Sequence, residues 1–546
     1  MLFLKERRRI PSNGHNRSIY QFCTIQRRNR DDPGPSSSSS WTRAIRTFAE
    51  LRRYRRVLSL YAQMNQAGHH PDPFSISAAL KACARLRSLA AAAAIHGQIH
   101  KLGYLADVYA QTALVGLYAK IDSAEIAWKV FDEMPKRNVV SWNSILSAHL
   151  RTADVLAARR VFDEMPVKDV VSWNSMASGY ARAGDMERAT ELFQAMPERN
   201  SASWNGMISA WIERGDMDSA RKLFDEMPVR SNVSWIAMIS GYSQSGDVSS
   251  AEELFEMMEA KDLFTWNAMI ACYTQNGFPK EAIQLFNRMQ KSDAECLPDE
   301  MTLSSVISAC SQLGDMELGL LIKSYMSSVG IELDDHLRTA FIDLFSKCGV
   351  IDHAFELFYN LRERDLVAYS AMILGCGING RCVEAVRLFG EMQELNIAPN
   401  SVTFTGLLTA YNHAGLVNEG RKCFASMSIE HHLPPSIDHY AIMVDLLGRK
   451  GRLGEAYQLI KGMQLDPHVG VWGALLYACR LHGNVELGEI AANKCFELEP
   501  EAAGYYVILA NIYAESGQHE KAKNLRKVMV ERGLTKVPGC SWAEPE

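Results

Sequence analysis

The chain has 546 residues, 47% hydrophobic and 22% charged, a composition typical of globular proteins rather than of disordered or fibrous ones. The formal net charge is −5, but residues 1–37 carry eight basic and three acidic side chains, which leaves the remainder at about −10. A mildly acidic body excludes strong general attraction to nucleic acid phosphates, so RNA binding would require local basic patches and specific base contacts.

The first 30 residues are rich in arginine and run into the linker DDPGPSSSSS (residues 31–40). A cationic segment of this kind is typical of an organelle transit peptide, and the alternative is a disordered basic tail. We interpret residues 1–37 as a transit peptide with a disordered linker. No apolar run approaches the roughly 18 residues of a membrane span, so the sequence predicts no membrane partner.

A repeat begins further along the chain. The stretch VFDEMPKRNVVSWNS (residues 130–144) returns as VFDEMPVKDVVSWNS (residues 161–175), and only the three residues before VVSWNS differ. The period is 31 residues, which is typical of stacked copies of one small structural unit. Each unit of such an array packs only on its neighbours, so the length reflects the number of repeats.

Each unit is predicted to be a helical hairpin. In residues 139–169, Trp142 and Ile145 lie on a first helix, while Phe162 lies on a second helix that Pro166 ends. Recurring Trp, Phe and Met stripes predict packing between helices. The glycines before the second helices are predicted turn formers: Gly184, Gly215, Gly246, Gly277, Gly314, Gly349, Gly380, Gly415 and Gly451.

The 12 cysteines are scattered, and some occupy equivalent places on apolar helix faces, such as Cys83 and Cys310. No C-x-x-C motif occurs. We therefore predict buried cysteines in a reducing compartment, with no metal site, no disulfide framework and no cofactor.

The pattern VVSWN…G…A…LFDEMP resembles the pentatricopeptide repeat (PPR), and the mixture of unit lengths resembles the plant PLS subclass. This resemblance implies an all-α fold, a right-handed α-solenoid (superhelix) of stacked helix-turn-helix repeats. The array of about thirteen repeats is predicted to span residues 38–468. Its units are 38–72, 73–107, 108–138, 139–169, 170–200, 201–231, 232–262, 263–299, 300–334, 335–365, 366–400, 401–436 and 437–468.

Residues 469–546 resemble the E motifs that end many plant organellar RNA editing factors, and these TPR-like hairpins are associated with protein partners in that family. The implied partners are a DYW-type cytidine deaminase acting in trans and multiple organellar RNA editing factors. A zinc deaminase requires the H-x-E and C-x-x-C elements, which this sequence lacks. We therefore expect that the protein is not an enzyme and has no catalytic residues. His519 and Glu520 are interpreted as part of a solvated turn rather than as a catalytic pair.

The resemblance further implies that each unit reads one RNA base through its fifth and last residues. Guanine is assigned to Thr42 with Asp72 and Thr339 with Asp365, and more weakly to Ser77 with Asp107 and Ser304 with Asp334. Adenine is assigned to Thr112 with Asn138 and Ser370 with Asn400. Uracil is assigned to Asn143 with Asp169 and Asn267 with Asp299. Pyrimidines are assigned to Asn174 with Asn200 and Asn205 with Ser231, the latter leaning to cytosine.

Apolar residues at the second position are expected to sandwich each base: Val140, Val171, Val233, Val367 and Val402. Three units depart from the pattern, namely those with Ile236, with Thr405 and Ser436, and with Ala441 and His468. Read 5′ to 3′, the implied RNA is G-(G)-A-U-Y-C-N-U-(G)-G-A-N-N, with the edited cytidine four nucleotides beyond the last N.

The sequence thus favours a single-stranded RNA-binding factor that selects cytidines for C-to-U editing in organelle transcripts. One alternative is an organellar splicing, stability or translation factor; another is a TPR-like scaffold that binds proteins. Polar residues at the fifth and last positions argue for RNA, since generic solenoid packing requires neither. The arginine-rich start favours the mitochondrion, with the chloroplast as the alternative.

Overall fold

The computed structural model describes residues 37–104, 107–121, 123–291 and 297–534. Apart from Ser37, the predicted transit peptide lies outside the described residues, as does the end of the chain from residue 535. The described residues form thirty α-helices and no strands, arranged as fifteen consecutive hairpins. The predicted all-α solenoid of helix-turn-helix units is confirmed. The chain divides into unit 1 (residues 1–261) and unit 2 (residues 262–546).

Seven hairpins form the described part of unit 1. In each, the first helix carries an odd number and the second an even one. Their bounds are α1 Ser38–Glu50, α2 Tyr54–Gln66, α3 Pro73–Leu86, α4 Leu89–Lys101, α5 Val108–Lys120, α6 Ala124–Asp132, α7 Val139–Arg151, α8 Val155–Glu164, α9 Val170–Arg182, α10 Met186–Ala195, α11 Ser201–Glu213, α12 Met217–Glu226, α13 Asn232–Ser245 and α14 Val248–Met257.

Eight hairpins form the described part of unit 2, with the same alternation. Their bounds are α15 Leu263–Gln275, α16 Pro279–Lys291, α17 Glu300–Leu313, α18 Met316–Val329, α19 Asp335–Lys347, α20 Ile351–Tyr359, α21 Leu366–Ile378, α22 Cys382–Glu394, α23 Ser401–Ala414, α24 Val417–Ile429, α25 Ile437–Arg449, α26 Leu453–Lys461, α27 Val469–Leu481, α28 Val485–Leu498, α29 Ala503–Glu515 and α30 His519–Glu531.

Within each unit the first helices of successive hairpins pack side by side, and each second helix packs on its own first helix and on the next one. Within each unit the first helices therefore form one layer and the second helices another. Because the hairpins repeat, equivalent residues of the first helices recur on the same face of that layer.

Aromatic pairs join consecutive hairpins in unit 1. Phe162 of α8 meets Trp173 of α9 edge to face, with ring centroids 5.0 Å apart. The same contact recurs at Phe131–Trp142, Phe193–Trp204 and Phe224–Trp235. Such pairs contribute about 0.5–1.5 kcal/mol beyond the burial of their surface. The repeated Trp and Phe residues are therefore packing residues, as predicted.

The predicted turn glycines all have a positive φ, from 66° at Gly415 to 86° at Gly184. A residue with a Cβ is strained in this left-handed region, which explains the choice of glycine. Ala153 takes the same conformation, with φ 58°, in the turn between α7 and α8.

Candidate nucleic-acid interface

The last residue of one predicted repeat lies immediately before the first helix of the next. Asp169, for example, precedes α9, while its predicted partner Asn143 lies in the second turn of α7. Since α7 and α9 pack side by side, the two side chains meet across the junction. Asn143 Nδ2 donates to Asp169 Oδ1 at 3.0 Å.

Six of the ten predicted base-reading pairs are directly hydrogen bonded in this way. The donor–acceptor distances are 3.1 Å for Thr42–Asp72, 3.3 Å for Thr112–Asn138, 3.0 Å for Asn143–Asp169, 3.4 Å for Asn205–Ser231, 3.0 Å for Asn267–Asp299 and 3.2 Å for Ser370–Asn400. The fifth and last residues are thus brought together at six junctions between hairpins.

The structure records no direct hydrogen bond within the other four predicted pairs, which are Ser77–Asp107, Asn174–Asn200, Ser304–Asp334 and Thr339–Asp365. In unit 2, however, Ser304, Thr339 and Asp365 line one open cavity of about 470 Å³. That cavity also contains the carboxylates of Asp335 and Asp343, so this part of the face is acidic.

Apolar side chains at the second position point into solvent. Val140 is 61% exposed and Val171 57%, and Val233, Val367 and Val402 are also exposed. Sequence reasoning missed four larger members of the same row: Phe74, Tyr109, Phe264 and Met301. These four residues could have been predicted from their position in the repeat, because each lies two residues after a helix-capping residue. A periodic row of exposed apolar side chains has no role in the packing of the hairpins.

The last residues also cap helices. Asp72, Asp107, Asn138, Asp169, Asn200, Ser231, Asp299, Asp334, Asp365 and Asn400 each accept a hydrogen bond from a backbone N–H of the following first helix. Asp, Asn and Ser are the preferred residues for this task. The argument that solenoid packing needs no polar last residue was therefore wrong, and the last position alone does not indicate RNA.

Two of these carboxylates have lowered pKa values. Burial acts to raise the pKa of Asp169, but hydrogen bonds from Asn143 and from the backbone and hydroxyl of Ser172 outweigh it. The pKa of Asp299 is lowered against burial by equivalent partners. Both groups are ionised at neutral pH and act only as hydrogen-bond acceptors.

The residue before the last is basic in most repeats with a short connection, and it serves the fold. Arg199 donates to the carbonyl oxygens of Phe193 at 2.7 Å and Gln194 at 2.6 Å, and its guanidinium lies 5.0 Å from the centre of the Phe193 ring. Arg137 and Arg230 make the same contacts. A cation here satisfies the free carbonyls at the end of the second helix. Of the three variable residues, the second is therefore used by the fold, while the third is the last residue of the repeat.

The three units that depart from the pattern also differ in structure. Ile236 offers no polar group, and Thr405 Oγ1 lies 3.2 Å from His439 Nε2 rather than against Ser436. Ser436 is itself bonded to His439 Nδ1 at 2.7 Å. Burial lowers the pKa of His439, so the ring is neutral at pH 7. The unit with Ala441 and His468 likewise presents no matched pair.

No cluster of three or more potential metal ligands occurs among the residues that the structure describes. His519 and Glu520 are exposed at the start of α30. In the described ranges, no helix has the length and apolar character needed to cross a bilayer.

The fold and its repeated polar pairs define a helical-repeat protein with one candidate reading position at each junction. The PPR repeat profile matches residues 112–139, 140–170, 171–201, 202–231, 233–263, 338–366, 402–430 and 438–466, and the PPR repeat family profile matches residues 261–312 and 364–413. Together they cover more than half of the chain. The chain therefore belongs to the pentatricopeptide repeat family, and the E motif profile matches residues 482–544.

Curated relatives include a mitochondrial pentatricopeptide repeat-containing protein of Arabidopsis thaliana, 44% identical over 247 residues, which are 45% of this chain and 36% of the relative. The chloroplastic protein DOT4 of the same plant is 43% identical over 247 residues, 45% of this chain and 28% of that protein. The match thus spans about a third of these relatives' length.

The structure is also similar to the crystal structure of PPR10 in complex with an 18-nt psaJ RNA element, with a TM-score of 0.50 and 18% identity. That match covers 96% of this chain and 85% of PPR10. At this identity the likeness shows the fold alone.

Proposed function

We propose that the chain binds single-stranded RNA in a sequence-specific manner and selects cytidines for C-to-U editing in an organelle. The observation that carries RNA binding is the combination, at successive junctions, of a polar pair and an exposed apolar side chain. Asn143 with Asp169, next to the exposed Val171, is one example. An apolar side chain can stack on a base while the polar pair bonds to its Watson–Crick edge. PPR10, which has a similar fold, was solved in complex with an 18-nt RNA element, and this supports RNA binding.

The specificity follows from donor and acceptor chemistry. Guanine and uracil carry a ring N–H on the Watson–Crick edge, whereas adenine and cytosine carry a ring acceptor. An ionised Asp at the last position accepts a hydrogen bond and so favours guanine or uracil. Asn can donate through Nδ2 and, where an accessible fifth residue holds the base in place, favours adenine or cytosine. Together with the base assignments that the family resemblance implies for the fifth and last residues, this chemistry supports the proposed RNA G-(G)-A-U-Y-C-N-U-(G)-G-A-N-N.

Binding is tested by fluorescence anisotropy with this 13-nucleotide RNA and a scrambled RNA of equal composition. We expect the scrambled RNA to bind at least about 100-fold more weakly, since each mismatch costs about 1 kcal/mol or more. Equal affinity would overturn the proposed base assignment. No binding to either RNA would favour the protein scaffold.

Recruitment of a deaminase is proposed for the C-terminal hairpins. The first helix α27 has Gly470 and Gly473 at the second and fifth positions, so it offers no reading pair. The same helix instead exposes Tyr477 (51%) and Leu481 (58%), which suit a protein partner better than a base.

Removing residues 469–546 is a poor test of recruitment, because Val444 and Leu447 of α25 share a core with Val471 and Leu475 of α27. Surface substitution leaves that core intact. We expect Tyr477→Ser with Leu481→Ser to abolish editing in a complemented null plant and to preserve RNA affinity. Val530→Ser, at a residue 79% exposed on α30, is the matched control.

Editing is distinguished from other roles by sequencing organelle transcripts of a null mutant. We expect particular cytidines to remain unconverted, each downstream of a match to the proposed RNA. Unspliced introns or missing transcripts with normal conversion would instead identify a splicing or stability factor. The same experiment decides between mitochondrion and chloroplast; we propose the mitochondrion, and curated relatives occur in both.

A further inference from the structure

Ser370 differs from every other predicted fifth-position residue that the structure describes. It is buried, with 3% of its surface exposed, whereas the others are half-buried or exposed. Its hydroxyl donates to Asn400 Oδ1 at 3.2 Å and lies 2.8 Å from Thr403 Oγ1. The one donor of this hydroxyl is therefore already used within the protein.

Two glycines bring α21 and α23 into backbone contact beside this residue. A Cβ on Gly377 would lie 2.5 Å from Gly406 O, and a Cβ on Gly406 would lie 2.7 Å from Leu374 N. Since both contacts involve backbone atoms, any side chain at either position would force the helices apart. This junction therefore depends on two glycines that are 29 positions apart in the sequence.

The junction between α15 and α17 has side chains at the two positions that are glycine between α21 and α23. Thr274 occupies the place of Gly377 there and Ser305 the place of Gly406, and Thr274 Oγ1 donates to Ser305 O at 3.4 Å. With side chains between the helices, the fifth-position residue Asn267 stays half-exposed. Burial of Ser370 thus accompanies the glycine contact and is not a general property of the array.

What remains accessible beside Ser370 cannot choose a base. Asn400 Oδ1 accepts from Ser370 and, at 3.0 Å, from the backbone N–H of Thr403. This leaves the Asn400 Nδ2 group as the available donor of the pair. Because the buried Ser370 cannot hold the base in place, this donor can bond to the acceptor that every base carries on its Watson–Crick edge. Val367, which is 60% exposed, can still stack on the base.

We propose that the glycine contact closes the reading position of hairpin α21–α22, so that the eleventh nucleotide is accommodated without being selected. This inference rests on the proposed RNA binding. It replaces the adenine assigned to Ser370 and Asn400 by any base.

The test is a set of four RNAs that differ only at nucleotide 11, compared with four that differ at nucleotide 8, opposite Asn267 and Asp299. We expect the first four to bind within about twofold of each other, and loss of the uracil at nucleotide 8 to cost about tenfold. Ser370→Ala should leave both results unchanged. An adenine preference of about fivefold or more that Ser370→Ala removes would overturn the proposal. Absence of binding to all eight RNAs would instead reject the proposed function.

The burial itself is tested without RNA, by labelling introduced thiols with N-ethylmaleimide and locating the label by mass spectrometry. We expect the thiol of Ser370→Cys to react at least about tenfold more slowly than that of Ser77→Cys, whose position is exposed. Equal rates would show that α21 and α23 open freely, and the proposal would fail.

Gly406→Ser copies the residue found at the α15–α17 junction and tests the cause. If circular dichroism shows a folded protein, we expect a preference for adenine at nucleotide 11 to appear. A folded variant that still binds all four RNAs equally at nucleotide 11 would contradict the role of the glycine contact. If the variant unfolds, the RNA set and the thiol rates still decide whether nucleotide 11 is selected.

Discussion

Under the proposed function, the last residue of a repeat with a matched pair combines two tasks without conflict. Its backbone position and one side-chain atom cap the next first helix, a task that Asp, Asn and Ser perform almost equally well. The remaining donor or acceptor character of the side chain is then free to vary. Because the cap tolerates this variation, base preference can change from repeat to repeat at little cost to stability.

Asp169→Asn tests this separation of tasks. The variant keeps an Oδ1 that accepts the capping bond, so we expect the free energy of unfolding to change by less than about 0.5 kcal/mol. The acceptor toward the base becomes a donor, so the preference at nucleotide 4 should move from uracil to cytosine, by about tenfold. Urea denaturation and anisotropy with RNAs varied at nucleotide 4 measure the two effects.

Asp169→Ala is the control, because it removes both the oxygen that caps α9 and the group proposed to bond to the base. We expect a loss of about 1 kcal/mol of stability and of all selection at nucleotide 4. The pKa of Asp169 is lowered in the folded protein, so its contribution is fully present above the unfolded pKa and is lost as the pH falls through the folded value. The difference in stability between wild type and Asp169→Ala should therefore shrink in acid; a constant difference would contradict the capping role.

Ala153 occupies a conformation that the equivalent turns give to glycine. Its φ of 58° places a Cβ in the left-handed region, at a cost of about 1–2 kcal/mol. Replacing Ala153 by glycine would remove this cost, but part of the gain in stability is offset because glycine is more flexible in the unfolded chain. We expect Ala153→Gly to stabilise the protein by about 0.5–1 kcal/mol, measured by urea denaturation. Gly184→Ala, at the next turn, should destabilise the protein; a destabilising Ala153→Gly or a stabilising Gly184→Ala would contradict the explanation.

At the level of the helical hairpin, a cation closes the end of the second helix. Arg199 combines two hydrogen bonds to free carbonyls with a contact on the Phe193 ring, at the turn into α11. We expect Arg199→Gln to lower the free energy of unfolding by about 1 kcal/mol. The base preference at nucleotide 5 should not change, because Asn200 keeps its cap. A change in preference without a change in stability would mean that Arg199 faces the RNA.

The hairpins and the pairing of fifth and last residues were predictable because both are short-range consequences of the repeat. A 31-residue period places Asn143 and Asp169 at one junction, and the glycine turns follow from local conformation. The burial of Ser370 was not predictable in this way. It depends on the absence of side chains at Gly377 and Gly406, which lie on different helices, and the pattern of fifth and last residues does not include them. The contacts of Arg199 with the end of the second helix were not predictable from the sequence either. A basic residue just before the last residue of a repeat is also consistent with contact to RNA.

For the whole molecule, the charge balance predicts how strongly salt affects binding. The chain is acidic after residue 37, and some cations of the first-helix layer are already paired. Lys347 lies 2.8 Å from Asp343 and Arg449 lies 2.9 Å from Asp445. Such pairing and the acidic net charge weaken the general attraction to phosphates, so we expect affinity to depend mainly on stacking and base contacts.

We expect the affinity of a protein beginning at residue 38 to fall only about tenfold between 50 and 200 mM salt, which corresponds to about two to three phosphate contacts. Asp343→Asn removes the partner of Lys347 while keeping an acceptor for Ser311, whose hydroxyl donates to Asp343 at 2.6 Å. The freed cation should tighten binding at low salt and steepen the salt dependence by about one contact. Asp225→Asn, at an exposed carboxylate on α12, the second helix of its hairpin, is the matched control and should change neither value. A fall of 1000-fold or more in the unmodified protein would mean that general phosphate attraction, and not recognition of bases, dominates the binding.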